Sequence, residues 1–304
     1  MPKIFIQLSG GLGNQMFQYA AGRGVAEKLG AELVLDSWSG FVRDREYRRS
    51  YELGAFRIKA RKAKAWERWP VWLQRTEQKM RGNSPGSPPN GLIKIRRPYG
   101  KFLLDDNRAF YPKVFEPNEI DTWMIGCFQS PQYFEFISEK IREELTPPIP
   151  SDPRFRVLGE RLRSQPTVAV GIRLYEEAKD PAAHSLGRSE KTMGEIKQAL
   201  EKLRQRHPDL KVALFCTHRA RVLEELGLPH DVVFVTHEEG FQGSISRLWL
   251  LTQCRHHLFN NSSFYWWGAY LSEIHHQESK GKKEILAANQ FYNQDSYLKK
   301  WKTF

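Results

Sequence analysis

Three short stretches carry residue types and spacings suited to chemistry. Gly10-Gly11-Leu12-Gly13-Asn14-Gln15 follows an apolar run and opens a helical pattern. Glycines let backbone amides approach an anion closely, and a helix start adds partial positive charge. The amides of Asn14 and Gln15 can hydrogen-bond hydroxyl groups. A tight turn needing positive φ accounts for the same glycines equally well. The stretch is not a dinucleotide fingerprint, because Met16 stands where its last glycine belongs, and no Gly-Lys-Ser/Thr phosphate loop occurs. The second stretch, Gly171-Ile172-Arg173-Leu174-Tyr175-Glu176-Glu177, closes an apolar run. An arginine there can fork onto two phosphate oxygens, and Glu176 or Glu177 can take a proton. A surface salt bridge is the competing reading. The third, Asn260-Asn261-Ser262-Ser263-Phe264-Tyr265-Trp266-Trp267-Gly268, places two hydroxyls between a strand end and an aromatic helix. Ser262 or Ser263 can cap that helix over a tryptophan core, and the same hydroxyls and amides can hold a phosphate. Asn261-Ser262-Ser263 also matches a glycosylation acceptor, discounted at a strand end in a chain without a secretion signal.

The remaining reactive side chains exclude more than they suggest. His256-His257 and His275-His276 are adjacent pairs whose side chains point apart, a poor spacing for metal ligands. Cys127, Cys216 and Cys254 stand far apart, with neither a metal-type pair nor an even disulfide framework, which favours a reducing compartment. Cys254 reads as core. The net charge of +12 draws anions, a class that includes nucleic acid, an anionic membrane and a nucleotide diphosphate. A nucleic-acid partner has no recognition motif behind it. The basic stretch Lys59 to Arg97, with Trp66, Trp69 and Trp72, reads as a solvated domain edge or as a peripheral contact with an inner membrane. Met1-Pro2-Lys3 ahead of Ile4-Phe5-Ile6 is no signal peptide, and no long apolar window occurs, so the expected location is cytoplasmic.

These residues need elements to position them. Ile4–Leu8, Glu32–Asp36 and Trp123–Gly126 read as strands, and Gln15–Leu29 and Ser138–Glu144 as helices. Phe17, Ala20, Ala21 and Gly24 form a small-residue face that lets the first helix lie close to a sheet. Asn83 to Asn90 is a loop, and Pro147-Pro148-Ile149-Pro150-Ser151 is the linker candidate. Beyond it, strands Val168–Ile172, Val212–Cys216, Val232–Val235, His257–Phe259 and Glu284–Leu286 alternate with helices Ser189–Arg206, Ala220–Leu226, Ile245–Cys254 and Phe264–Leu271. Such alternation means parallel sheets, whose ligands bind beyond the strands' carboxyl ends. The important loops are then those after Leu8, Ile172, Cys216, Val235 and Phe259. Lys179 to Gly187, with Pro181, reads as a loop able to close over substrates.

Together the three stretches resemble glycosyltransferase family 11, the α-1,2-fucosyltransferases. Gly10 to Tyr19, GGLGNQMFQY, resembles the family's opening motif, and Cys254 to Leu271, CRHHLFNNSSFYWWGAYL, its late motif. Gly126-Cys127-Phe128-Gln129-Ser130 with Tyr133-Phe134, and Tyr51-Glu52-Leu53 with Phe56, are similar to two further family segments. The resemblance implies an α/β fold of GT-B type, with two facing Rossmann-like domains and parallel sheets. Residues 1–150 would form the acceptor-side domain and 151–304 the GDP-fucose-binding domain, with the C-terminal segment packing back on the first. It implies inverting transfer from GDP-β-L-fucose to the 2-hydroxyl of a galactose-containing oligosaccharide, with no metal or other cofactor and no obligate protein partner. Another linkage such as α-1,6, or another donor sugar, is the alternative. On this resemblance Arg173 and Glu176 are the catalytic candidates. Gly171, Arg173, Thr217, His218, Asn261, Ser262, Ser263 and Phe264 would bind the donor. Gly10, Gly11, Gly13, Asn14 and Gln15 would line the sugar or acceptor side. One family motif departs: where His-x-Arg-Arg-x-Asp is usual, Gly171, Arg173, Leu174 and Glu176 stand, and the usual Ser-Asp-Asp reads Thr217-His218-Arg219. This leaves open how guanine is read and which group is the base.

Overall fold

The computed structural model of the chain describes residues 1–42, 44–45, 47–68, 101–105, 109–116, 119–174, 192–219, 221–275, 282–289, 291 and 293–304. Trp69, Trp72, the Asn83–Asn90 loop, Tyr175, Glu176, Glu177, the Lys179–Gly187 loop and His276 lie outside the described residues. The chain forms two compact units, Met1–Leu145 with Tyr292–Leu298, and Thr146–Phe291 with Lys299–Phe304. The division thus falls just ahead of the proline run, and a short C-terminal stretch belongs to the first unit.

The first unit contains β1 (Lys3–Gln7), α1 (Leu12–Leu29), β2 (Glu32–Asp36), β3 (Arg61–Lys62), β4 (Lys101–Leu104), β5 (Thr122–Ile125) and α2 (Ser138–Glu144). Its sheet is parallel throughout, in the order β3-β2-β1-β5-β4. Ile4, Phe5, Ile6, Leu33, Val34 and Leu35 are all buried. Unbroken apolar runs of this kind belong to strands covered on both faces. The small residues of α1 serve two neighbours. A side chain at Gly22 would press on Ile6 and Leu33 of the sheet, whereas one at Gly24 would overlap the Tyr133 carbonyl. The glycine that brings the helix close to the sheet is therefore Gly22, one face round from the expected Gly24.

The second unit contains α3 (Pro153–Ser164), β6 (Thr167–Gly171), α4 (Met193–Arg206), β7 (Lys211–Phe215), β8 (Val233–Val235), α5 (Ser244–Gln253), β9 (His256–Phe259), α6 (Ser263–Leu271), β10 (Ile285–Ala287) and β11 (Lys302–Thr303). Its sheet is again parallel, in the order β11-β10-β9-β6-β7-β8. Val168, Val170 and Leu214 pack against Ile196, Leu200 and Leu203 of α4. The start of α4 is set by a capping box: Glu195 N–H donates to Thr192 Oγ1 (3.2 Å) while Thr192 N–H donates to the Glu195 carboxylate (2.9 Å). Arg221–Leu226 is a 3-10 segment rather than the expected α-helix. Left-handed Gly227 (φ 58°) ends the segment.

Both sheets have a point where the strand order reverses. In the first unit the chain leaves β1 for β2 on one side and later adds β5 on the other. In the second it leaves β6 for β7 and β8, then returns to place β9 on the opposite side. Loops leaving two such neighbouring strands diverge and open a crevice at the carboxyl edge, the usual ligand position in open parallel sheets.

Candidate functional site

At the second unit's reversal point, Gly171 at the end of β6 lies opposite Phe259 at the end of β9. Asn260 then continues the ladder. Its N–H donates to Gly171 O (3.2 Å). Its side-chain amide donates to Arg173 O (2.9 Å) and accepts from Arg173 N–H (2.9 Å). This amide acts as an extra rung beyond the sheet, so the backbone of Arg173 is fixed where regular pairing has ended. The Arg173 guanidinium reaches the Thr217 hydroxyl at 3.5 Å, just past β7. Sequence reasoning placed Asn260 in the third stretch without a role; the structure shows that it positions Arg173 of the second.

Beneath this turn sits Tyr265 from α6. Its hydroxyl lies 3.1 Å from Ile172 O and 2.9 Å from Phe215 O, donating to the carbonyl ends of β6 and β7. Its ring covers Gly171, where a Cβ would come within 2.5–2.8 Å of the ring carbons. Gly171, expected among the donor-binding residues, is buried and gives room to Tyr265. Any larger residue would displace the ring and with it both hydrogen bonds.

On the neighbouring loop, Ser262 is the N-cap residue of α6 in extended conformation, but its side chain makes no capping bond, and no acidic residue lies in the first turn. The expected serine cap is therefore not formed by Ser262. The helix begins at the carboxyl edge of the sheet with its positive dipole end uncompensated by a carboxylate, the geometry that suits an anion. Asn261, Ser263 and Phe264 are partly exposed beside it, and Phe264 meets the Tyr265 ring edge-on at 5.6 Å.

After β7 come Thr217, His218 and Arg219. His218 Nδ1 is 2.8 Å from Glu238 Oε1, and Arg219 N–H donates to Glu238 Oε2 (3.2 Å). Backbone amide bonds, then the His218 contact, hold the Glu238 carboxyl down at about 2. Arg219 lies 3.6 Å from Glu239 and over the Phe234 ring at 3.9 Å. The loop after β8 thus supplies carboxylates that meet His218 and Arg219 after β7, a pairing visible in sequence only as two acids following a strand. Glu176 lies outside the described residues.

The first unit's edge is built differently. Gly10 adopts φ 71°, and Gly11 is the N-cap of α1. The Gly10 conformation favours a residue without a side chain. Gln15 does not face a ligand, as expected, but is fully buried. Its amide donates to Gly10 O (2.9 Å) and Ser50 O (2.8 Å) and accepts from Glu52 N–H (2.9 Å). A buried amide must satisfy its polar atoms internally, and these three backbone groups do so. Gln18, one turn on and also fully buried, accepts from Ser9 N–H (2.9 Å) and donates to Ser9 Oγ (3.0 Å) and Gly126 O (2.9 Å). It ties the loop after β1 to the loop after β5. Asn14 accepts from Gln129 (3.0 Å) across the same two loops, beside buried Gly13. The β5 loop is itself tightly bent, with Phe128 at φ 50° and its N–H donating to Asp105 (2.6 Å). Gln18 and Gln129 stand in quoted motifs but received no role in the sequence reading. Two glutamines three apart on the buried start of α1 were the available signal.

A cationic turn and an uncapped helix start thus flank one crevice, and an amide-laced loop flanks the other. The sequence profile of "Glycosyl transferase family 11" matches residues 107–304, most of the chain and all of the cationic edge. The chain belongs to this family. An α-1,2-colitosyltransferase of Escherichia coli is 26% identical to it over 282 residues, 89% of this chain and 88% of that protein. Among solved structures, the fucosyltransferase NodZ from Bradyrhizobium aligns at 18% identity and a TM-score of 0.47, covering 88% of this chain and 91% of that one. The ADP-heptose lps heptosyltransferase II of E. coli aligns at 11% identity and 0.42, covering 100% and 90%. The family 11 glycosyltransferase has two α/β units on parallel sheets, in keeping with the expected GT-B class. No helix of its described residues is long and apolar enough to cross a membrane.

Proposed function

We propose that this glycosyltransferase moves L-fucose from GDP-β-L-fucose to the 2-hydroxyl of a galactose-containing acceptor, inverting the anomeric centre to give an α-1,2 linkage. The observation that carries the reading is the fixing of Arg173 by Asn260 at the reversal point of the second sheet, beside the uncapped start of α6. Such a site suits a diphosphate: a guanidinium for the leaving charge, with hydroxyls and helix amides for the remaining oxygens. In the reaction, the acceptor oxygen forms a bond to the sugar's anomeric carbon as the bond to the β-phosphate oxygen breaks. GDP leaves with the bonding pair, and Glu176 takes the acceptor proton. Charge accumulating on the β-phosphate meets Arg173, whose fixed donors serve where a metal would otherwise be needed. Acceptor choice falls to residues of the first unit.

A second reading has its own support in the colitosyltransferase relative. Colitose is a 3-deoxy analogue of fucose, so the same site with a smaller sugar pocket would prefer GDP-colitose. Incubation with each GDP-sugar and a set of β-galactosides, followed by GDP release and NMR of the product, separates the two. The fucosyl reading expects faster turnover of GDP-fucose and a new α-1,2 linkage. Preference for GDP-colitose replaces the donor, and absence of GDP release from either overturns both.

A further inference from the structure

Arg247 lies in the first turn of α5 and is only 7% exposed. Its Nη2 donates to Cys216 O (2.6 Å) and stands 3.5 Å from Val235 O, at the carboxyl ends of β7 and β8. Its buried Nε has no hydrogen-bond partner, and no carboxylate pairs with it among the described residues. Three features work against the folded chain here. A buried cation without a counter-charge is costly, an unpaired buried N–H adds to that cost, and a positive charge in a first turn opposes the helix dipole. A leucine or methionine would fill the same space without these costs. Yet Cys216 immediately precedes Thr217, whose hydroxyl receives the Arg173 guanidinium. Two arginines therefore converge on one dipeptide at the carboxyl edge of the sheet.

We propose that Arg247 is a second cation of the donor diphosphate site, a positioning residue that holds the Cys216–Thr217 turn and lends its charge to the anion that Arg173 grips. The inference rests on the placement of the donor site given above. Bound diphosphate supplies the counter-charge that no carboxylate among the described residues provides, so apo protein carries an instability that ligand relieves. Arg247 acts mainly on donor binding: loss of its charge raises the donor KM while kcat at saturating donor changes little.

The test uses the full chain with Arg247→Met and Arg247→Gln, and Arg173→Ala as reference. GDP affinity is measured by calorimetry, and melting temperature with and without inorganic pyrophosphate. Both Arg247 variants should bind GDP about tenfold more weakly or worse, the scale of a hydrogen-bonded charge removed. Their apo melting temperatures should equal or exceed that of the unaltered protein, and the pyrophosphate-induced rise should shrink. Arg247→Gln, which keeps a polar donor without the charge, carries the test if Arg247→Met does not fold. Wild-type GDP affinity with an undiminished pyrophosphate response overturns the inference, as does failure of both variants to fold, which would make Arg247 a structural brace. If Arg173→Ala loses GDP binding and the Arg247 variants keep it, only the present inference falls. If all three keep it, the donor site is misplaced.

Discussion

The carboxyl edges of the two sheets share a topology and differ in chemistry. The first unit's edge is laced by neutral amides: Gln18 and the Asn14–Gln129 pair tie the start of α1 and the loop after β1 to the loop after β5, and Gln15 ties Gly10 to Ser50 and Glu52. The second unit's edge gathers guanidinium groups, a hydroxyl without a capping bond and a helix start without an acid. A self-satisfied edge is rigid before any ligand arrives. The guanidinium groups of the other edge are placed to receive an anion. On the proposed function, the contrast divides the labour: an uncharged substrate held by shape, and a leaving diphosphate held by charge.

The largest expected effect tests the charged edge. Arg173→Ala should cost about 2–4 kcal/mol of transition-state stabilisation, the range for removing one preorganised donor. Steady-state kinetics giving near-wild-type kcat/KM would remove the distinction between the edges. The next probes the amide edge. Gln18→Leu strands Ser9 N–H and Gly126 O and should lower stability by about 1–3 kcal/mol. Chemical denaturation reads that loss, while GDP affinity should hold; a variant that binds GDP poorly but unfolds normally would mean the amide edge serves the donor after all. Ser262→Ala should do the reverse on a smaller scale, weakening GDP binding by about 0.5–1.5 kcal/mol because its hydroxyl makes no capping bond. A melting temperature that drops while calorimetric affinity stays constant would contradict this.

A separate prediction, on pH dependence rather than on ligand binding, concerns the opposite end of the second sheet. Burial, with His207 and Arg255 nearby, lowers the His256 pKa to about 3. The unfolded chain therefore takes up this proton first as pH falls, so stability declines from about pH 6.5 down to about pH 3. Burial alone would raise Glu284, but Arg206, Lys302 and His207 outweigh it and bring it to about 2, so its share is lost at still lower pH. Replacing His256 with Asn should flatten the upper part of a melting-temperature profile; an unchanged slope there would show that His256 is not the group titrating.

Much of this was legible in the residues. The strand runs, the glycine turn and the alternation of elements are enough to place Arg173 and Ser262 at carboxyl edges. Some legible signals went unread: Asp152 followed by Pro153 marks the start of α3, with Asp152 accepting from Arg154 N–H (2.9 Å). Gln15 misled because an amide's chemistry is visible in sequence and its burial is not. Short edge strands such as β3 and β11, each of two residues, carry no periodicity to read.

What the sequence determined by itself was local: which segments extend, which coil, and which bear charge at their ends. Those follow from backbone sterics and side-chain patterning within a few residues. Only the tertiary structure decided that Asn260 would splint Arg173, that Tyr265 would need Gly171 empty, and that Arg247 would bury its charge behind Cys216. Each joins strands or helices distant in sequence, and burial is a property of the whole packed chain.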